Sequence, residues 1–407
     1  MLTAALAHAS TSVRQRRLIA ASQVAALGTW FSASAVAPAV AAELGLTTGT
    51  SALLTSSVQI GFVVGAVSSA VLNLPDRLPL PTLYAVSALL AALSTAVFPA
   101  LAHDGVAAVA LRMLTGVFLA GVYPVGMKLT ASWAPPEVRG RAFGLLVGAL
   151  TLGSAVPHLI RVAEHLAWPA VMYGAAAIAT AGAVLARLTI RVGPGYESRP
   201  QALQPSYAFR MFAERRPRLA NLGYFGHMWE LYAFWTWLPS FITASQLSRN
   251  GSADGRVSLL AFAAIGLAGV VGCLVGGWAA DRVGRAPTAI AALAVSGSCC
   301  LLSPLFFGGT LAVLAVFLLV WGAAVIADSG VFSTALSESV DSHLAGTALT
   351  AQTAVGFSLT VATIHLVPVL AALGSWRTAF VVLAAGPLVG CLAMLRFHAI
   401  PTQRPVA

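Results

Sequence analysis

Apolar runs of about 20 residues, each long enough to cross a hydrocarbon core roughly 30 Å thick, follow one another along nearly the whole chain. They lie near 18–42, 51–73, 81–101, 105–129, 139–161 and 168–188, and again near 219–243, 257–279, 287–307, 310–334, 344–370 and 377–397. No water reaches hydrocarbon to bond the backbone, so each run must satisfy its own N–H and C=O groups as a helix. The expectation is an all-α membrane protein of twelve transmembrane helices. Composition closes the soluble alternative, because 58% of residues are hydrophobic and only 9% are charged, against roughly one quarter charged in a soluble domain. The lipid bilayer is therefore the first partner.

The net charge of +10 would suggest nucleic acid in a soluble protein. Here the 23 basic residues sit mainly in the short breaks between runs, so no nucleic-acid partner is expected. With the N-terminus cytoplasmic, 18 of the 23 face the cytoplasm, Arg199 and Arg404 among them. The opposite side receives Arg161, Arg249, Arg256 and Arg377, and Arg112 falls within a span. The positive-inside rule then puts both termini in the cytoplasm of a bacterial inner (plasma) membrane protein. Arg14, Arg16 and Arg17 before an apolar stretch imitate a secretory signal, but the first span reads as retained. The Arg- and Pro-rich stretch from Arg191 to Arg218 is the longest polar segment. Four parts follow: a six-helix bundle over 1–188, a cytoplasmic linker over 189–218, a second bundle over 219–397 and a tail over 398–407.

The halves echo each other. Asp76-Arg77 meets Asp281-Arg282 and Trp30 meets Trp235 at an offset of 205, while Gly140 and Ala142 meet Gly346 and Ala348 at 206. Three coincidences of punctuation favour a duplicated six-helix unit in the same orientation, hence two pseudo-symmetric bundles.

Between spans eight and nine stands Gly277-Trp278-Ala279-Ala280-Asp281-Arg282-Val283-Gly284-Arg285. With the duplicated topology, this segment resembles the signature loop of the major facilitator superfamily of secondary transporters. Its first-half counterpart, Asn73 to Pro79, keeps Asp76-Arg77 and loses the later Gly and basic positions. Span four is similar to the family's fourth-helix motif, with Arg112 followed by Gly116, Ala120 and Gly121. Gly144, Gly148, Gly153 and Pro157 in span five loosely resemble the family's glycine-rich antiporter motif. The segment Gly121 to Lys128 looks most like the nitrate, nitrite and cyanate-type branches. The resemblance implies alternating access around a central cavity, gating by Asp76, Arg77, Asp281, Arg282, Gly284 and Arg285, and a cavity-facing Tyr123 and Asp328. Those gate charges can equally serve as orientation marks and helix caps.

Several residues carry chemistry on their own account. A guanidinium inside span four costs on the order of 2.5 kcal/mol or more unless it meets a partner or water, so Arg112 can bind an anion, tune a neighbouring carboxylate, or snorkel to the surface. His227 and Glu230 in span seven are three apart, which puts them on one helical face as a protonatable pair or as ordinary interhelical bonds. Asp328, with Ser329 and Ser333 after it, sits in span ten opposite Tyr123 and can instead cap a helix. Trp30 and Trp235 occupy equivalent places, and aromatics crowd span seven through Phe234, Trp235 and Trp237, as cavity lining or as packing. His158, His365, Cys273, Cys299, Cys300 and Cys391 read as packing residues. The pairs Gly61 and Gly65, Gly272 and Gly276 let helices approach closely.

No ligand spacing suggests a metal, and no phosphate-cradling loop with Lys and Ser points to ATP. No cofactor is expected, and ion gradients remain as the energy source. The leading reading is a secondary transporter of a small solute, inclined by Arg112 toward a small anion, coupled to protons or a counter-substrate. A proton-coupled exporter of hydrophobic or cationic compounds stays open within that class. An intramembrane enzyme built on His227 and Glu230 is the alternative from another class, though no nucleophile motif accompanies them.

Overall fold

The computed structural model describes residues 2–135, 138–163, 166–196, 204–253, 255–341 and 344–400, with side chains from residue 10 onward. Arg199 and Arg404, the linker residues 197–203 and the tail from 401 lie outside the described residues.

Among the described residues, twelve helical units coincide with the twelve apolar runs. In the first half they are Leu2–Leu27 continued by Ser32–Ala35 and Ala37–Leu44, then Thr48–Val71, Leu80–Ala96, Gly105–Leu119 with Tyr123–Ser132, Arg139–Arg161 and Trp168–Thr189. The second half has Arg215–Asn250, then Arg256–Phe262 running through a π-helical turn into Gly269–Val283, and Arg285–Phe306. Leu311–Ala324 with Ser329–Ser337, Ala345–Leu373, and Trp376–Ala379 leading into Ala385–His398 complete it. Among the described residues, nine units meet both the length and the hydropathy of a bilayer-crossing helix. Span one is diluted by Arg14, Arg16 and Arg17 and broken at Gly28–Phe31, and the continuous part of span three has 17 residues. Span seven, 36 residues long, starts at Arg215, four residues before the expected boundary, and carries charge at both ends.

Close backbone contact holds each half together. A Cβ on Gly61 or Gly65 would strike the carbonyl oxygen of Met113 or Val117, and one on Gly272 or Gly276 that of Ala323 or Ala327. Spans two and four, and spans eight and ten, are therefore joined by one device used twice. Lipid tails offer no hydrophobic drive for helix association, so such contacts supply much of the packing energy. Spans four and ten also break at matching places, Ala120–Val122 and Val325–Asp328. The halves meet along two seams, span five against eight and span two against eleven. On the first seam, the π-helical turn Ala263–Ala268 brings Gly266 against Leu152 and Ala155. One surplus residue in such a turn re-aims the side chains beyond it.

Candidate functional site

Arg112 is fully buried, which excludes snorkelling. Its Nε donates to the Leu54 carbonyl at 3.3 Å, one terminal nitrogen to Ser32 Oγ at 3.2 Å, and the other to the Thr29 carbonyl at 2.9 Å and to that of Trp30. Those acceptors are two carbonyls and a hydroxyl where span one breaks, plus one carbonyl from span two. The guanidinium thus ties three helices at a gap in the backbone ladder. Four contacts on its three nitrogens leave little of it for a substrate, so the expectation of a cavity-facing cation is not met.

The protonatable groups of span seven divide differently from the sequence expectation. His227 faces Asp328, with Nδ1 2.8 Å from Oδ1 and both side chains about 1% exposed. The oxygen lies off the line of the ring N–H, so the contact is ionic in kind once the imidazole holds a proton. Nε2 of His227 is buried without a partner. Glu230 turns instead into the second half, where its Oε1 accepts from Trp321 Nε1 at 2.6 Å and Cys300 Sγ at 3.2 Å. The expected His227–Glu230 pair is therefore replaced by His227–Asp328. One helical face brought the two residues near each other, but the break at Val325–Asp328 presents a carboxylate at shorter range.

Tyr123 opens the second piece of span four and is partly buried. Tyr224 and Phe332 flank the His227 ring at centroid distances of 6.3 and 5.6 Å. Further along the seam, Trp30, Phe31 and Phe62 of the first half interlock with Tyr232, Trp235 and Phe357 of the second. Trp30 lies 5.8 Å from Tyr232 and 5.6 Å from Phe357, and Phe31 lies 5.8 Å from Trp235. Trp30 and Trp235, equivalent in the repeat, are brought into one cluster. His365 crosses the same seam to Ser56 Oγ at 3.0 Å.

At the face bearing both termini, Asp281 reaches across the other seam. Its carboxylate lies against the backbone of Gly140, in the first turn of span five, where unpaired N–H groups and the helix dipole favour negative charge. Arg285 bridges to Glu338 Oε1 at 2.8 Å and approaches Asp281 at 3.9 Å, while Arg282 lies over the Trp278 ring. Gly284 holds φ +98°, a conformation that excludes a side chain without strain. The first-half loop behaves otherwise. Asp76 stays in its own half, paired with Lys128 at 3.4 Å and accepting from Tyr196 Oη at 3.4 Å, and Arg77 is exposed. A crevice between spans five, eight and ten, lined by Gly144, Gly277, Ala327 and Gly330, runs from Arg285 toward Cys273. Glu338, Tyr196 and Trp321 were not singled out from sequence, and Cys300 was read only as packing, because each matters through a partner dozens of residues away.

The fold and its seams define a class: an all-helical membrane protein whose two six-helix halves close on each other along apolar, aromatic-lined seams. The match to the Major Facilitator Superfamily extends over residues 18–364, and the chain belongs to that superfamily, one of secondary transporters and not of enzymes. Over 298 residues it is 28% identical to the niacin transporter NiaP of Acinetobacter baylyi, covering 65% of this chain and 64% of that protein. Over 203 residues it is 28% identical to a D-galactonate transporter of Escherichia coli, covering 44% of this chain and 46% of the other. The matched part is thus less than two thirds of either relative's length. Among solved structures, the human organic anion transporter MFSD10 superposes with a TM-score of 0.69 at 15% identity, over 94% of this chain and 99% of that one. These relatives are named for organic compounds, so the nitrate-type likeness of Gly121 to Lys128 does not carry a branch assignment.

Proposed function

We propose that this chain is a secondary transporter of a small organic anion, working by alternating access, in which a proton held by His227 and Asp328 travels with the anion. The observation that carries the reading is the buried His227–Asp328 contact with its unpartnered Nε2. In the neutral ring, a proton on Nδ1 faces Asp328 and leaves Nε2 a lone pair. A second proton turns Nε2 into a charged donor, and a carboxylate is the natural partner for one. Proton and anion then favour each other's binding, and the carrier reorients either empty or doubly loaded. That is symport by linkage. The names of the niacin and galactonate relatives support an organic carboxylate over a nitrate-type ion. The export reading would need a carboxylate free at the seam, whereas Glu230 is bonded within the second half. The excess of Lys and Arg on one side supports a bacterial plasma membrane with cytoplasmic termini.

The test is uptake of labelled nicotinate and galactonate into proteoliposomes under an imposed pH gradient, wild type beside Asp328→Asn. An inward proton gradient is expected to drive concentrative uptake by the wild type, and collapsing the gradient is expected to abolish it. Asp328→Asn is expected to lose the gradient response while keeping anion exchange at equal pH. Uptake that ignores the gradient, or that Asp328→Asn leaves intact, would refute the coupling.

A further inference from the structure

We infer that the aromatic cluster around Trp30 and Trp235 is the seat of the substrate, and that it selects a planar aromatic monocarboxylate over an aliphatic or polyhydroxylated acid. The inference rests on the organic-anion reading above and narrows it.

Both halves build the cluster. Phe62 lies 4.7 Å from Phe357 across the seam, Tyr232 lies 5.1 Å from Phe357 and 5.5 Å from Trp235, and Trp30 stacks on Tyr232. These are the separations at which ring faces and edges attract through their quadrupoles. When the halves part, the rings they exchange are unsatisfied, and another flat ring is the body that replaces such contacts best. A saturated ring of equal size offers neither a π face nor polarised edges.

The polar groups of the cluster point the same way. The indole N–H groups of Trp30 and Trp235 are buried to about 1% exposure, and neither has a hydrogen-bond partner. A buried indole usually finds an acceptor, so two orphans at equivalent positions of the repeat are a specific vacancy for acceptor atoms. A carboxylate supplies acceptor oxygens of the kind these donors lack. Binding would thus draw the halves together, which is what a carrier needs of its substrate before reorienting. Arg112 takes no part in holding the carboxylate, because its guanidinium is committed to the break in span one. A sugar acid would also bring several hydroxyls into a pocket walled by six aromatic rings. Each hydroxyl stranded from water without a partner counts against it.

The experiment compares benzoate, cyclohexanecarboxylate and galactonate in gradient-driven uptake by the wild type, then benzoate uptake by Trp30→Phe and Trp235→Phe. Those substitutions keep a ring and delete the N–H. Benzoate is expected to show a KM at least about 10-fold below cyclohexanecarboxylate, with galactonate weaker still. Each Trp→Phe change is expected to raise the benzoate KM about 5- to 10-fold, as loss of one hydrogen bond does, with kcat nearly unchanged. Equal KM for benzoate and cyclohexanecarboxylate, preference for galactonate, or an unaltered benzoate KM in both variants overturns the inference while leaving an organic-anion carrier in place. No flux of any of the three acids removes that reading and the inference with it. Should a variant fail to fold, as a shift in its thermal midpoint would show, the wild-type substrate series decides alone.

Discussion

Replacing Arg112 by Lys separates an anchor from a binding site, because it keeps the buried charge and changes only the hydrogen bonds. The guanidinium reaches acceptors on two sides, Leu54 O in span two and Thr29 O, Trp30 O and Ser32 Oγ at the break of span one. An ammonium is a single point with three donors, and from one position it cannot span that set, so we count two contacts as lost. Interhelical hydrogen bonds in membranes average about 0.6 kcal/mol, and a typical protein hydrogen bond is worth up to about 1.5 kcal/mol. Two losses therefore destabilise by roughly 1–3 kcal/mol on those scales. The cost of burying a charge is present in both proteins and drops out of the difference. Tryptophan-fluorescence melting in detergent is expected to show a midpoint lower by a few degrees, while the KM for the transported acid stays within about twofold in the protein that remains folded. A variant with the wild-type midpoint and a KM raised tenfold or more would refute the anchor assignment and return Arg112 to the substrate.

Two further outcomes follow from the packing and from the separation of the acidic groups. Gly276→Val drives a side chain into the Ala327 carbonyl, an overpacking that costs typically 1–3 kcal/mol or more, so purified yield and thermal midpoint should fall. Gly330→Ala, with nothing within 4 Å of the added carbon, should leave both unchanged, and equal behaviour of the two variants would contradict the close-packed seam. Glu230→Gln keeps an oxygen to accept from Trp321 Nε1 and should preserve the pH dependence of uptake, unlike Asp328→Asn. A flattened pH profile in Glu230→Gln would show that the proton couple extends past His227 and Asp328.

The helices were legible from sequence because lipid leaves a long apolar run only one conformation. The limits of the twelve runs agree with the observed units to within a few residues at most ends. The duplication was legible as well, since Asp76 and Asp281, or Trp30 and Trp235, mark equivalent backbone positions regardless of what they touch. What could not be read was partner choice. Glu230 is three residues from His227, yet it bonds Cys300 and Trp321, 70 and 91 residues away. Arg112 looked like a cavity cation because its sequence neighbours are apolar; two of its acceptors are the carbonyls of Thr29 and Trp30, at a break over Gly28–Phe31 that hydropathy does not register. The two gate loops share Asp-Arg, but only Asp281 crosses the seam. Asp76 is held at home by Lys128 and by Tyr196 of the linker, a residue that no helix pattern singles out.

The duplication is one of scaffold and not of chemistry. Gly61, Gly65 and the break after Leu119 have structural counterparts in Gly272, Gly276 and the break after Ala324. At the offset of 205 that relates the breaks, however, His227 corresponds to Ser22, Glu230 to Ala25, Asp328 to Tyr123, and Arg112 to Phe317. The first half has thus fixed Arg112 onto its own chain, and the second half holds the buried carboxylates Glu230 and Asp328 beside His227. A carrier of this build needs equivalent motions from its halves, which the repeated glycine contacts supply, and only one place where charge is sensed. On the proposed symport reading, that place is the side of span seven that faces Asp328, with the ring faces of the first half to close against.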